Sequence, residues 1–403
     1  MGEFFKKYVN RDNVVDLLSS LIEIHSPYFH EDNVMEYVHQ WLKEKNIPCE
    51  YHVYHESRVT GYKGKNVIGK MKGSAQGPRI LLNGHVDTVD ICEGWTKNPL
   101  EGFVEGDKLY GLGALDMKSG VAAIMLAIHA FKETVNEFKG EILYTFVSDE
   151  EGPFGLGTDA LILDGFVDEI DVAIVPEPSS GFIGTGFPCL CLGARGGWNY
   201  TVEFTGKSSH AAYPEKGISA ISDASKVLLE FDKLELNEDE KLGKGSVCVI
   251  KMEGGGAACS VADKASFTIF RHVVRGEDRS YLEKETAEVV RRANIKSTTS
   301  MKFRDAPHPE NGGFEPYIVP EDHTYTKLMQ TSIQNIMGDV SQIGYFSSMG
   351  DFNYLATRVK IPTFVFGPDG ENYHAPDEYV LISTVVKTAE IIYDFLVNTL
   401  EVK

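Results

Sequence analysis

Apolar residues recur at helical spacing over residues 13–25, where Val14, Leu17, Leu18, Leu21 and Ile22 share one stripe behind Asp12, the predicted N-cap. Short apolar runs follow at about 49–54, 66–71 and 79–84, each of strand length. A helical pattern covers about 117–133, and strand runs return near 141–147 and 171–176. Strands alternating with helices predict an α/β layer on a central parallel or mixed sheet. In such sheets ligands collect at the carboxyl ends of the strands.

The pattern changes in the middle of the chain. Trp198–Phe204 alternates between apolar and polar positions, and a helix is predicted over about 217–233. Strands at 246–252 and 265–273, a helix at about 279–293 and a strand at 298–304 complete the order βαββαβ, the split ferredoxin-like arrangement. The first pattern then resumes with the strand Ile361–Gly367 and an amphipathic helix over about 383–399. The predicted organisation is an α/β domain in two parts, 1–194 and 308–403, interrupted by an inserted α+β domain, 195–307.

A length of 403 residues suits two domains. Thirty-nine basic against fifty-nine acidic residues leave a net charge of −20, which repels phosphate backbones and argues against a nucleic-acid partner. The longest apolar stretch, Val121–Phe131, is too short to span a bilayer. The start, Met-Gly-Glu-Phe-Phe-Lys-Lys, has no apolar signal core, and Lys6 stands where a myristoylation motif needs Ser or Thr. A cytoplasmic protein without a membrane partner is expected. Six cysteines show no paired spacing, and Cys189 and Cys191 flank Leu190 on an apolar strand where packing is their expected role.

Candidate chemistry sits mostly where predicted strands end. His85 lies in Leu-Leu-Asn-Gly-His-Val-Asp-Thr-Val, Asp116 in Gly-Leu-Gly-Ala-Leu-Asp-Met-Lys-Ser-Gly, and Glu151 in Val-Ser-Asp-Glu-Glu-Gly. Glu177 lies in Val-Pro-Glu-Pro and His374 in Asn-Tyr-His-Ala-Pro-Asp-Glu-Tyr. Two neutral imidazoles and three carboxylates suit one or two zinc-like ions and match no four-cysteine structural site. So few protein ligands per ion leave positions open to water, which implies a metallohydrolase. His85 and Asp87 face the same way at a strand end, so Asp87 can accept the second imidazole N–H, although the tripeptide alone also fits a hydrogen-bonded turn. Asp116 follows Gly111 and Gly113, can bridge two cations with its two oxygens, and can cap the next helix as well. Glu150 and Glu151 are adjacent and point apart, so one can bind metal while the other serves water as general base.

In this order the motifs HVDTV, GLGALDMKSG, SDEEG, VPEP and the late histidine resemble the M20 metallopeptidases, a family of deacetylases, desuccinylases, carboxypeptidases and dipeptidases. The resemblance covers nearly the whole chain, the insertion included. It implies two Zn²⁺ ions, with Co²⁺ or Mn²⁺ as substitutes: one held by His85, Asp116 and Glu177, the other by Asp116, Glu151 and His374, with Glu150 as general base. It also implies a cis peptide after Asp116. Gly206-Lys-Ser-Ser-His210-Ala-Ala-Tyr-Pro214 resembles the segment whose histidine reaches a partner subunit's site and stabilises an oxyanion, so a homodimer joined through the inserted lid domain is expected. His210 fits a surface loop histidine too. Arg271 matches the family's arginine for a substrate carboxylate, or is an ordinary ion-pair residue. Two segments depart from the pattern: Cys259-Ser-Val-Ala262 lacks an expected asparagine, and Gly367-Pro-Asp-Gly370 carries Asp369, suited either to an amino-bearing substrate or to a turn.

The leading expectation is hydrolysis of the amide of an N-acyl amino acid through a metal-activated water. A dipeptidase or carboxypeptidase acting on short peptides is the alternative within the family. From other classes come a two-metal phosphoesterase, which the shortage of Arg and Lys in the motifs disfavours, and a non-enzymatic metal or amino-acid binding protein, which Glu150 disfavours.

Overall fold

In a computed structural model, residues 5–402 are described. The first four residues, on which the reading of the amino terminus depends, lie outside them. The chain divides into two compact units, the described parts of Met1–Ala194 with Ile318–Lys403, and Arg195–Tyr317. Among the described residues no helix is long and apolar enough to cross a membrane.

The first unit is built on a mixed sheet. The strands Glu50–His55, Lys63–Lys72, Lys139–Val147, Ala75–His85, Val172–Val175, Thr363–Val365 and Cys189–Ala194 lie side by side in that order, and Gln342–Phe346 also pairs with the last. Ala75–His85 runs parallel to both neighbours, whereas Lys63–Lys72 runs antiparallel to Lys139–Val147. Ile80–His85 and Ile142–Val147 are buried without interruption, as strands with no solvent face must be. The helix Lys118–Thr134 packs on Ala75–His85 and on the helices Arg11–Glu23 and Ile382–Thr399.

The cap of Arg11–Glu23 is Asn10 and not Asp12. Asn10 is extended and its side chain accepts the Asn13 N–H at 3.0 Å, while Asp12 sits in the first turn, where its charge suits the helix dipole. Among the described residues, three helices of eight residues or more, Asp32–Glu44, Leu156–Leu163 and Thr324–Met337, lie outside the predicted elements. The buried positions of the last are Thr326, Met329, Ser332 and Ile333, so half of its stripe is polar.

In the second unit the strands Ser246–Gly255, Lys264–Val273, Gly196–Thr205 and Thr298–Phe303 form an antiparallel sheet in that order. The helices Ala220–Phe231 and Arg279–Arg292 complete the βαββαβ sequence. Strict alternation in Lys264–Val273, and from Trp198 onward in Gly196–Thr205, sends Phe267, Ile269, Tyr200, Val202 and Phe204 into one core with Ala224, Val227, Leu282 and Val289 of the helices. This unit runs on to Tyr317, beyond residue 307, because Phe314 and Gly197 exchange two backbone hydrogen bonds of 2.8 and 2.9 Å.

Candidate metal centre

Three parallel strands end at one rim. His85 closes Ala75–His85 opposite Val147, the residue after which the chain turns through Glu150 and Glu151, and Glu177 follows Val172–Val175 on the other side. Asp116 enters from the turn before the Lys118 helix, across a cis Asp116–Met117 peptide. A Cβ on Gly113, whose φ is +74°, would stand 2.6 Å from Thr88 Cγ2, so this turn needs glycine. His374 comes from a loop of the first unit in which Asn372, His374 and Asp377 all have left-handed φ angles of 57–68°.

The side chains form two groups that share one member. His85 Nε2 lies 3.4 Å from Asp116 Oδ1 and 3.3 Å from Glu177 Oε1. His374 Nε2 lies 3.4 Å from Asp116 Oδ2 and 2.9 Å from Glu151 Oε1. Asp116 thus turns one oxygen to each group, and within each group the potential ligand atoms lie within 4.8 Å of one another. Two facts about His85 fit a cation. Its Nδ1 faces the Asp87 carbonyl at 3.1 Å, which places the ring proton there and leaves a lone pair on Nε2. That Nε2 is buried without a hydrogen-bond partner although two carboxylates stand beside it. Burial disfavours a second proton on this ring, but the Glu177 and Asp116 carboxylates outweigh it and raise His85 well above the ordinary imidazole value; positive charge is wanted at Nε2, and a cation supplies it as a proton does. Glu150 Oε1 accepts the Asp351 N–H at 3.2 Å, and its Oε2 is 3.9 Å from His85 Nε2. Asp116, Glu150, Glu151, Glu177 and His374 line a cavity of about 180 Å³, walled by Phe182, Phe346 and Tyr373, with no Lys or Arg in its lining.

A model of Peptidase family M20/M25/M40 matches residues 81–398. The chain belongs to the M20 peptidase family. It is 27% identical to the succinyl-diaminopimelate desuccinylase of Sulfurovum sp. (strain NBC37-1), over 94% of this chain and 97% of that protein. It is also 27% identical to a Peptidase M20 domain-containing protein of Schizosaccharomyces pombe, over 92% of this chain and 81% of that one. Among solved structures, a tripeptidase from Staphylococcus aureus has a TM-score of 0.76 at 19% identity, covering 96% and 98% of the two chains. A dinuclear metal binding peptidase of the M20 family from Bacillus subtilis has a TM-score of 0.70 at 16% identity, covering 99% and 100%. Both share the fold. As an M20 peptidase the protein is a metal-dependent hydrolase.

Electrostatics in this M20 site follow from burying many carboxylates together. Burial pushes Glu177 up to about 8 and raises Glu150 and Glu151, with neighbouring acids adding to the shift. Hydrogen bonds to Asp116 and Glu151 hold His374 up at about 11, while burial takes Lys118 down to about 7. Protons or a divalent ion relieve this repulsion.

Asp87 stands beside His85, with Oδ1 3.5 Å from Nδ1 and its own carbonyl oxygen nearer, at 3.1 Å. Its oxygens accept the backbone N–H groups of Glu150 at 3.2 Å and Glu151 at 2.9 Å, so Asp87 holds the turn that presents both acids. Arg271 has no exposure, and its guanidinium is bound by Glu277 at 3.0 Å, by Glu285 at 3.1 and 3.2 Å, and by the His272 carbonyl. It is the centre of a buried ion cluster in the second unit, with four of its five N–H donors engaged by these partners, which fits the ion-pair reading.

His210 is exposed in the second unit, and its Nδ1 accepts the Ala212 N–H at 3.1 Å, which puts the ring proton on Nε2. The departing segment at Cys259 pairs with this loop, through Ala211 N–H to Cys259 O and Val261 N–H to Ser209 O, both 2.8 Å. Asp369 Oδ1 accepts the Ser180 hydroxyl at 2.7 Å. The buried acids unassigned in the sequence include Glu31, which accepts the Asp149 N–H at 2.9 Å and the Tyr62 hydroxyl at 2.6 Å; Asp351, bound by Asn83 and Thr158; and Glu378. Of these, only Glu378 carried a signal, its place just after His374 in Asn-Tyr-His-Ala-Pro-Asp-Glu-Tyr.

Proposed function

We propose that this M20 hydrolase cleaves the amide bond of an N-acyl amino acid with a pair of zinc ions, with short peptides as the second substrate class. The observation that carries the reading is Asp116, with one carboxylate oxygen turned to the His85–Glu177 pair and the other to the Glu151–His374 pair. Each ion would have one imidazole, one carboxylate of its own and a share of Asp116, a count that leaves coordination open for chemistry. When bound, the ions polarise the substrate carbonyl and make water acidic enough to react near neutral pH.

The chain supplies the proton transfers. Glu150 is fixed through Oε1 by the Asp351 N–H, which leaves Oε2 to face the cavity. It takes the proton of the attacking water and returns it to the departing nitrogen. His210, protonated at Nε2, is the donor assigned to the developing oxyanion, and it reaches the site of a partner subunit. The sheet edge Ser246–Gly255, with Val249, Ile250 and Met252 exposed, is the surface for a two-fold homodimer. The absence of Lys and Arg from the cavity lining speaks against phosphoester substrates.

The desuccinylase relatives favour an N-acyl amino acid, whereas the fold is shared with peptidases. A hydrolysis screen of the zinc-loaded protein decides between them. It covers N-acetyl and N-succinyl amino acids and di- and tripeptides with acidic, basic and apolar side chains. Preference for an acylated amine over every free-amine peptide is expected; turnover of peptides alone would shift the reading to a peptidase, and turnover of neither would refute it.

A further inference from the structure

The turn that presents Asp116 is held by a carboxylate from the loop that presents His374. Glu378 is 2% exposed. Its Oε2 accepts the Gly113 N–H at 2.8 Å, and its Oε1 accepts those of Leu115 at 2.8 Å and Asp116 at 3.0 Å. Its own carbonyl accepts the Gly111 N–H at 3.0 Å. Three backbone donors converging on one buried carboxyl group form a nest for an internal ligand.

We infer that Glu378 is a positioning residue that sets where Asp116 stands between the two ions and thereby controls affinity at the His374 side; the inference rests on the metal-pair reading above. The two sides are built differently. His85 and Glu177 are buried at strand ends, with side-chain exposures of 1% and 5%, and need no help to stay in place. The His374 side chain is 47% exposed on a loop of left-handed residues. That loop is tied down by Asp377, which accepts the Thr96 and Lys97 N–H groups at 2.9 and 3.2 Å, and by Glu378. Of these two ties, the one through Glu378 runs to the segment carrying the shared ligand. Its removal leaves the first ion two rigid ligands and leaves the second with a loose imidazole and a displaced bridge.

The test is a stepwise Co²⁺ titration of metal-free wild type and Glu378→Gln, read by visible absorption and by calorimetry. The isosteric amide keeps the shape but sets an NH₂ group against backbone donors. Second-ion affinity is expected to fall by about 10–100-fold, the usual range for a residue that orients a metal ligand, with first-ion affinity little changed and the spectrum of the second ion altered. Unchanged affinities, or equal loss at both sites together with a lower Tm, would overturn the inference. If Glu378→Gln fails to fold, hydrogen exchange in metal-free wild type decides: amides 113, 115 and 116 are expected to be protected, and free exchange there would overturn it. A wild type that binds no second ion would instead sink the metal-pair reading itself.

Discussion

Gly350→Ala is a test of how tightly the general base is held. A Cβ at this position would lie 2.7 Å from Glu150 Oε1 and 2.4 Å from Phe352 Cε1. Phe352 is 1% exposed and packs edge-on against Phe346 with ring centroids 5.2 Å apart, so the ring has little room to yield. The backbone at residue 350 must therefore shift away from the ring, and the Glu150 carboxylate must withdraw by about 0.5–1 Å to reach ordinary van der Waals contact. The same shift breaks its 3.2 Å bond from the Asp351 N–H. Displacement on this scale at a reacting centre costs up to about 100-fold in rate. Overpacking itself costs about 1–3 kcal/mol of stability. The assay is steady-state kinetics on the best substrate of the screen, with metal analysis and thermal denaturation on the same sample. A fall of about 30–100-fold in kcat is expected, with KM and metal content close to wild type. Wild-type kcat in a folded, metal-replete variant would refute the reasoning, because the base would then tolerate displacement or would not be Glu150.

Asp116→Ala is expected to empty both metal positions, whereas His85→Ala should keep the ion held by Glu151 and His374; equal residual metal in the two variants would exclude a bridging Asp116. Mixing His210→Ala with Glu150→Gln under conditions of proven subunit exchange should restore part of the activity, since one site of the mixed dimer then has an intact Glu150 and a partner's His210. No recovery would exclude donation between subunits. Burial takes His129 and His272 down to about 4, so between pH 6.5 and 4 the unfolded chain binds protons that the folded chain refuses, and stability falls as pH drops through that window. Each histidine contributes at most about 3 kcal/mol to that loss. His129→Phe, which keeps a ring against Tyr8 and Trp41, should flatten part of the fall in Tm; an unchanged slope would exclude His129 as a contributor.

The residues legible in the sequence were those whose role follows from a repeating pattern. Val14, Leu17, Leu18, Leu21 and Ile22 betray their helix because burial on one face recurs at helical spacing, and His85, Glu151 and Glu177 stand out because each ends an apolar strand run. What was not legible depends on partners far away in the chain. Glu378 acts on N–H groups 262 to 265 positions earlier, and no local spacing marks a residue that binds backbone. Arg271 could not be told from a substrate arginine because Glu277 and Glu285 come to it only through the fold of the Arg279–Arg292 helix and the turn before it. The helix Thr324–Met337 hides behind its polar buried positions, Thr326 and Ser332. Asp87 was placed correctly beside His85, but which of its atoms faces the ring is decided by the two N–H groups that claim its carboxylate.

Glu150→Gln, with turnover and metal content measured on the same preparation, tests the central claim most directly. The side chain keeps its shape and its contact with the Asp351 N–H but can no longer take a proton, so kcat should fall by about 10²–10⁴-fold while both ions and the fold are retained. Near wild-type turnover would remove Glu150 as the base, and loss of metal together with activity would make it a ligand instead.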